Sequence, residues 1–173
     1  MLKAIKRLVI FILTITLFTA LSSCDNTRDT EPFSAFSGDI RADVRLTLGE
    51  SSSVYVFART GETETVTFSE PTELSGYVFK KVGEKITLSY DGFSAEVSSS
   101  VGRISVISSA IFSPETDGIS SISAKEQDGA LFTEIVCGDI TYRFLKDGTP
   151  VSAEGHVLGI SFSAEIISIG GAE

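Results

Sequence analysis

The sequence predicts an all-β domain of about eleven strands with one short helix packed on the sheet. Three observations predict it. Apolar and polar residues alternate with a period of two through most of the chain, and turn residues recur about every 8 to 12 positions. In one segment, residues 103–112, the apolar residues instead recur with the spacing of an α-helix. This texture is typical of a sandwich or a barrel, and the near-sequential hairpins favour an antiparallel meander that curls on itself.

The first strand has the clearest pattern. Across residues 39–48, apolar side chains alternate strictly with polar ones. Such a pattern indicates a half-buried strand with one apolar face and one polar face. Arg41, Asp43 and Arg45 then share the outer face, and we interpret them as a solvated row of charges.

Five further strands are predicted before the helix. Gly61, Gly83-Glu84 and Asp91-Gly92 provide reversals of the hairpin kind. Pro71 ends the third strand because proline has no N–H to donate to a neighbouring strand. The five segments are residues 54–60, 62–69, 77–82, 85–90 and 93–97.

The change of period after the sixth strand predicts a helix over residues 103–112. Pro114 and Gly118 follow it and end the pattern. Isoleucines at positions i, i+3 and i+7 form an apolar stripe that we expect to lie on the sheet, whereas we expect Ser105 to tolerate a charge. The stripe residues are Ile104, Ile107 and Ile111.

Five strands complete the domain. Asp128-Gly129, Gly138-Asp139 and the turn Asp147-Gly148 separate them, and the last strand alternates through Ile160, Phe162, Ala164 and Ile166. The predicted segments are residues 119–126, 131–137, 140–145, 151–157 and 160–169.

The N-terminus is predicted to be an export signal. Lys3, Lys6 and Arg7 precede a 13-residue, largely apolar run from Leu8 to Ala20. The run is shorter than the roughly 20 residues of a membrane-spanning helix, and small residues follow it, as in a cleaved signal peptide. Removing residues 1–23 leaves 150 residues, a one-domain length that can bury a sizeable core.

Residues 21–24, Leu-Ser-Ser-Cys, resemble the lipobox of bacterial lipoproteins. The resemblance implies that Cys24 is acylated and becomes the first mature residue; the alternative is an ordinary signal peptide with a chance cysteine. The resemblance divides the chain into three parts. Residues 1–23 are a signal peptide, residues 24–33 are the lipidated cysteine with a polar tether, and residues 34–173 are the domain. We therefore expect a lipid-anchored protein on the extracytoplasmic face of the cell membrane.

The mature chain is strongly acidic. Without the three cations of the leader, 23 acidic residues stand against 11 basic ones, a net charge of −12. Such a surface repels nucleic-acid phosphates and anionic headgroups, so we expect no nucleic-acid partner and a membrane contact through acylated Cys24.

Because Cys24 is used in the anchor, Cys137 has no disulfide partner. Cys137 lies on the same face of its predicted strand as Leu131 and Ile135, which predicts a buried core position.

No pattern indicates catalysis, a metal or a cofactor. His156, the single histidine, has no cysteine or aspartate at motif spacing, and we expect it at the surface. The serine-rich runs lack Gly-X-Ser-X-Gly, and the glycines form no Gly-X-Gly-X-X-Gly. Glu62 and Glu64 are close in sequence, but chance pairs are expected in so acidic a chain. We expect a protein that is not an enzyme.

The layout resembles that of the bacterial lipoprotein carrier and receptor group, the LolA/LolB-like proteins. This chain is predicted to be anchored and to have about six meandering strands, a helix and about five more strands. The turn Phe144-Leu145-Lys146-Asp147-Gly148-Thr149-Pro150 precedes the last strands. The resemblance implies a curled half-barrel whose helix-covered concave side holds acyl chains. The sequence departs from the group's pattern because it lacks a long helix at the start of the domain.

Two functions remain open. In the first, the protein binds a hydrophobic ligand, a lipid or the acyl chain of a lipoprotein, through phenylalanines that face a cavity under the helix. In the second, it is an anchored module with a filled core that binds a protein or an envelope polymer. The sequence carries no signal for an oligomeric state. The candidate ligand-binding residues are Phe57, Phe68, Phe79, Phe93, Phe132, Phe144 and Phe162.

Overall fold

The computed structural model describes residues 33–127 and 129–171. The predicted signal peptide, Cys24 and the tether up to residue 32 lie outside the described residues. Glu31–Glu173 form one compact unit that contains all the strands described below and their buried core, so a fragment that retains this unit is expected to fold without the leader. Within the described part of the chain, no helix is long and apolar enough to cross a membrane.

Eleven strands and one α-helix, α1, make up the described domain. Short 3-10 turns occupy Ser34–Phe36, Thr72–Leu74 and Thr116–Gly118. The strands are β1 Ile40–Leu48, β2 Ser51–Thr60, β3 Thr63–Glu70, β4 Val78–Val82, β5 Lys85–Tyr90, β6 Phe93–Val97, β7 Ile119–Gln127, β8 Ala130–Cys137, β9 Ile140–Leu145, β10 Pro150–Val157 and β11 Ile160–Gly171; α1 spans Arg103–Phe112.

The strands form a single antiparallel sheet in the order β6-β5-β4-β3-β2-β1-β11-β10-β9-β8-β7. Two meanders, β1 to β6 and β7 to β11, are joined where the first strand pairs with the last, from Ile40 opposite Gly171 to Thr47 opposite Ser163. The sheet is not closed, and α1 lies in the connection between its two edge strands, β6 and β7. The predicted fold class, a curled antiparallel half-barrel of about eleven strands with one helix, is confirmed.

One face of the sheet, called the inner face below, carries the core. On β1, Ala42, Val44 and Leu46 are fully buried, whereas Arg41 and Arg45 are exposed on the outer face, as the alternation predicts. The inner face continues on both sides of β1 with side chains from the other strands. They include Phe57, Val66, Phe79 and Ile86 in one meander and Ala164, Ala153, Tyr142 and Ile135 in the other.

The helix has the predicted bounds, and Ile107 and Ile111 are fully buried. The expectation for Ser105 was wrong, because Ser105 is buried on the side that faces the sheet. The helix begins close to β5, where a Cβ on Gly102 would lie 2.8 Å from Ile86 Cγ2. A glycine at this position therefore lets the start of the helix pack directly on the strand.

Candidate ligand-binding cavity

Two tyrosines bind α1 to opposite halves of the sheet. Tyr55 on β2 has its hydroxyl 2.8 Å from Ser108 Oγ, and Ser108 Oγ lies 2.7 Å from Ile104 O. Ser108 has one hydroxyl proton, so it donates to the Ile104 carbonyl and accepts from Tyr55. Tyr142 on β9 donates to Ala110 O at 3.0 Å. The helix is thus hydrogen-bonded to both meanders.

Both tyrosine hydroxyls lie in the core, and this changes their acidity. Burial raises the pKa of Tyr55, and the hydrogen bond with Ser108 offsets a smaller part of this shift. Burial also raises the pKa of Tyr142. The neutral phenol is favoured because a phenolate would lose its hydration inside the apolar core. Both groups therefore stay protonated, as donation to Ser108 and Ala110 requires.

A buried carboxylate binds the last turn of the helix. Glu64 on β3 is 8% exposed and forms an ion pair with Lys81 Nζ at 3.1 Å. Ser109 Oγ donates to Glu64 Oε2, and Ser113 Oγ lies 3.5 Å from Glu64 Oε1. The carboxylate therefore has a cationic partner and hydroxyl donors, which a buried charge requires.

Arg59 on β2 links the end of the helix to the turn that opens the domain. Its Nη1 donates to Phe112 O at 3.0 Å and to Ser113 Oγ at 2.8 Å. Its Nε donates to Gly38 O at 3.1 Å, and its Nη2 donates to Phe36 O. A guanidinium satisfies the unpaired carbonyls at a helix C-terminus well, since its charge also favours the negative end of the helix dipole.

The turn Ser34–Phe36 inserts two aromatic rings beside the helix. Phe33 contacts Tyr142 edge-on with ring centroids 4.9 Å apart, and its ring lies 5.6 Å from that of Phe144. Phe36 contacts Phe112 edge-on at 5.4 Å. Both phenylalanines are buried, so the first described residues of the chain are part of the core.

A cavity of about 320 Å³ lies between this turn and the end of the helix. Its volume is at the lower end of the roughly 300–1,000 Å³ of small-molecule sites. Aromatic and aliphatic side chains form much of the wall, and a guanidinium and three hydroxyl groups form the rest. The lining residues are Phe33, Phe36, Ser37, Arg59, Phe112, Ser113, Pro114, Thr116 and Ile119.

The seven phenylalanines proposed from the sequence fall into three groups. Phe93 is 81% exposed on the edge strand β6. Phe132 is half-buried and lines a different depression of about 230 Å³ with Arg143 and Val151. Phe93 lines a further depression of about 330 Å³ with Tyr90 and Ser94. The other five are buried in the core, and none of the seven lines the cavity beside the Ser34–Phe36 turn. The five are Phe57, Phe68, Phe79, Phe144 and Phe162.

The sequence interpretation missed the polar residues of the inner face. Arg59 is in phase with Tyr55 and Phe57 on β2, and Glu64 is in phase with Val66 and Phe68 on β3. A charged residue in phase with buried neighbours is a signal that would have identified both. Phe33 and Phe36 had no comparable signal, because a short 3-10 turn shows no periodicity.

The remaining candidate groups lie where the sequence predicts. Cys137 is buried, its Sγ lies 3.0 Å from Glu115 O, and burial raises the pKa of the thiol. This confirms the interpretation of Cys137 as a core residue. His156 is exposed near the end of β10.

Within residues 33–127 and 129–171, no group of three or more His, Cys, Asp or Glu side chains is placed to hold a metal ion.

Comparisons with known proteins show the fold alone. No family model matches the sequence, and no curated protein matches it. An uncharacterized conserved protein from Thermus thermophilus is similar over 83% of this chain and 85% of its own, with 8% identity and a TM-score of 0.52. The two proteins share a fold.

Two further solved structures match at lower scores. The match with LprF from Mycobacterium bovis covers 80% of this chain and 89% of LprF, with 9% identity and a TM-score of 0.45. The match with a LolA superfamily protein from Nitrosomonas europaea covers 83% of this chain and 91% of that protein, with 9% identity and a TM-score of 0.38.

The two buried tyrosines should make the domain sensitive to alkali. Their pKa is raised on folding, so above pH of about 10 the unfolded chain loses these protons before the folded chain does. The free energy of unfolding should therefore fall as the pH rises through this range. We expect each of Tyr55→Phe and Tyr142→Phe to cost about 1 kcal/mol at neutral pH, and the double variant to lose stability less steeply with pH.

Urea unfolding between pH 8 and 11 measures both effects. Tyr90→Phe is the matched control, because Tyr90 is 46% exposed and its substitution should change neither stability nor its pH dependence. An equally steep loss of stability in the wild type and in the double variant would contradict the assignment.

Proposed function

We propose that the protein is a membrane-anchored extracytoplasmic lipoprotein that binds a hydrophobic ligand, a lipid or an acyl chain, and catalyses no reaction. The cavity of about 320 Å³ between the Ser34–Phe36 turn and the end of α1 carries the proposal. Its wall contains Phe33, Phe36 and Phe112, and apolar walls with a few polar groups are typical of small-molecule sites.

The size of the cavity favours a slender ligand. A single acyl chain can fill a narrow space and replace the contacts that an empty cavity forgoes. The rings of Phe144 and Phe57 lie directly behind the wall, since Phe144 contacts Phe33 and Phe57 stacks on Phe112 with centroids 4.4 Å apart. A longer chain would reach these two candidate residues if Phe33 and Phe36 moved aside.

Cys24 is the proposed site of lipidation. Phe33 lies nine positions after Cys24 in the chain, and a fully extended segment of this length spans about 30 Å. An acylated Cys24 would therefore hold the cavity within that distance of the bilayer. A ligand could then pass between the membrane and the cavity over a short path.

The alternative is an anchored interaction module without a ligand. The observation in its favour is the packing of the inner face, where α1, the Ser34–Phe36 turn and five of the seven candidate phenylalanines fill the core with side chains. Phe93, at 81% exposure, would then belong to a surface for a protein or an envelope polymer. The two functions differ in whether the cavity takes up an apolar molecule.

Ligand uptake is tested with the soluble fragment 25–173, purified without detergent. We expect native mass spectrometry to show a lipid mass from the expressing cell, or the fragment to enhance the fluorescence of an added apolar dye. Ile119→Trp should abolish either signal because the larger side chain fills the cavity that Ile119 lines.

The matched control is Ile122→Trp on the same strand. Ile122 is 59% exposed, so this substitution should leave the signal unchanged. A bare wild-type protein that gives no dye signal would eliminate the carrier function and leave the interaction module. A signal that persists in Ile119→Trp would place the ligand elsewhere.

Lipidation is tested in the full-length chain. Cys24→Ala should prevent acylation and move the protein from the membrane fraction to the soluble fraction, since residues 8–20 are too short to span a bilayer. Metabolic labelling with an alkyne fatty acid measures acylation directly. Cys137→Ala is the control and should keep the label; label that persists on Cys24→Ala would contradict the proposal.

A further inference from the structure

We propose that Arg59 makes the cavity selective for amphiphiles with an anionic headgroup, a carboxylate or a phosphate monoester. The inference rests on the proposed function, because it takes the cavity as the ligand site and specifies the chemical class of its ligand. It concerns one guanidinium in the cavity wall and the balance of charge around it.

Arg59 has no acidic partner within the described part of the chain. Other basic side chains form ion pairs there, for example Arg143 with Glu134 and Glu154. Arg41 and Arg103 also have no carboxylate partner within ion-pairing distance, but both are exposed and hydrated, whereas Arg59 is only partly accessible. A partly desolvated cation without a carboxylate in ion-pairing distance is costly because it has lost part of its hydration, and a bound anion would relieve this cost.

The hydrogen bonds of Arg59 do not neutralise its charge. Its acceptors are the carbonyls of Gly38, Phe36 and Phe112 and the hydroxyl of Ser113, all uncharged groups. The negative end of the α1 dipole offsets roughly half of the positive charge of Arg59. Arg59 has five N–H donors and these contacts use four, so one donor on Nη2 remains for a ligand oxygen.

Glu64, the carboxylate that a serine links to Arg59, is already neutralised. Ser113 Oγ lies 2.8 Å from Arg59 Nη1 and 3.5 Å from Glu64 Oε1, so this hydroxyl bridges the two side chains. Glu64 forms its ion pair with Lys81 at 3.1 Å. The cluster of Arg59, Glu64 and Lys81 therefore has a net charge of +1, within a chain whose formal net charge is −9.

The rest of the wall suits an amphiphile. Ser37 and Thr116 line the cavity with Arg59, and their hydroxyls can donate to the oxygens of an anionic group, whereas Ser113 donates its one hydroxyl proton to Glu64. The rings of Phe33, Phe36 and Phe112 offer an apolar surface to the chain. The acidic outer surface repels anions in general, so selectivity for an anionic headgroup would come from this local site.

The experiment compares ligands that share a ten-carbon chain and differ in the headgroup. Decanoate, decyl phosphate, decan-1-ol and decylamine are titrated into fragment 25–173 by calorimetry, below the concentrations at which they form micelles. We expect at least one of the two anions to bind at least about tenfold more tightly than decan-1-ol, a difference of about 1.4 kcal/mol, and decylamine to bind most weakly. Inorganic phosphate without a chain should show no measurable binding.

Arg59→Gln and Arg41→Gln are the matched variants, since each removes one positive charge from the protein. Arg59→Gln should bind the anions and decan-1-ol with equal affinity, whereas Arg41→Gln should keep the wild-type preference. Arg59→Lys keeps the charge and should keep most of the preference, which guards against loss of folding in Arg59→Gln. Thermal unfolding of each variant confirms that a folded domain was titrated.

The outcomes separate the two proposals. Equal affinity of wild-type protein for all four headgroups, or a preference for anions that persists in folded Arg59→Gln, would overturn the role of Arg59 and leave the cavity as a site for apolar chains. No binding of any decyl compound would overturn the proposed function itself. Between decanoate and decyl phosphate, the tighter binder identifies the headgroup, a carboxylate or a phosphate.

Discussion

The structure depends on how one ten-residue helix covers the inner face of an open sheet. An apolar sheet face must be buried against another element, and α1 fills this role between the two edge strands. Tyr55 on β2 and Tyr142 on β9 hydrogen-bond to it from opposite meanders. Because both hydroxyls are buried, a hydroxyl that lost its hydrogen-bond partner would also remain without water, so the loss would cost the hydrogen bond and the desolvation of the hydroxyl. The hydrogen bonds thereby fix where the helix lies and where it ends.

The cavity is a consequence of that position. The helix ends at Phe112, and Arg59 binds this end together with the Phe36 carbonyl of the Ser34–Phe36 turn. The turn contributes two aromatic rings but leaves about 320 Å³ between itself, the helix end and Ile119. The same interactions that complete the core thus create a space with apolar walls and a cationic side chain, and this combination underlies the proposed ligand class.

Local sequence patterns predicted most of the fold. A period of two identified the strands, glycine-containing turns located the hairpins, and the isoleucine spacing located α1. The pairing of β1 with β11 joins residues more than 110 positions apart in the chain, and no local pattern encodes such a contact. The candidate site was harder to predict, because alternation shows that Phe57 faces inward but not whether it contacts side chains or a ligand. Arg59 and Glu64 broke the apolar pattern of the inner face, and these exceptions mark the polar part of the cavity region.

The central claim is that α1 is an integral part of the core and not a lid that opens independently of the sheet. Native-state hydrogen exchange of fragment 25–173 tests it most directly, because it measures the free energy of opening for each amide. The account predicts that the amides of Ser108 to Phe112 exchange with the same free energy as the central amides of β2 and β9, through global unfolding. Exchange of the helix at a much lower free energy, while β2 and β9 stay protected, would contradict it.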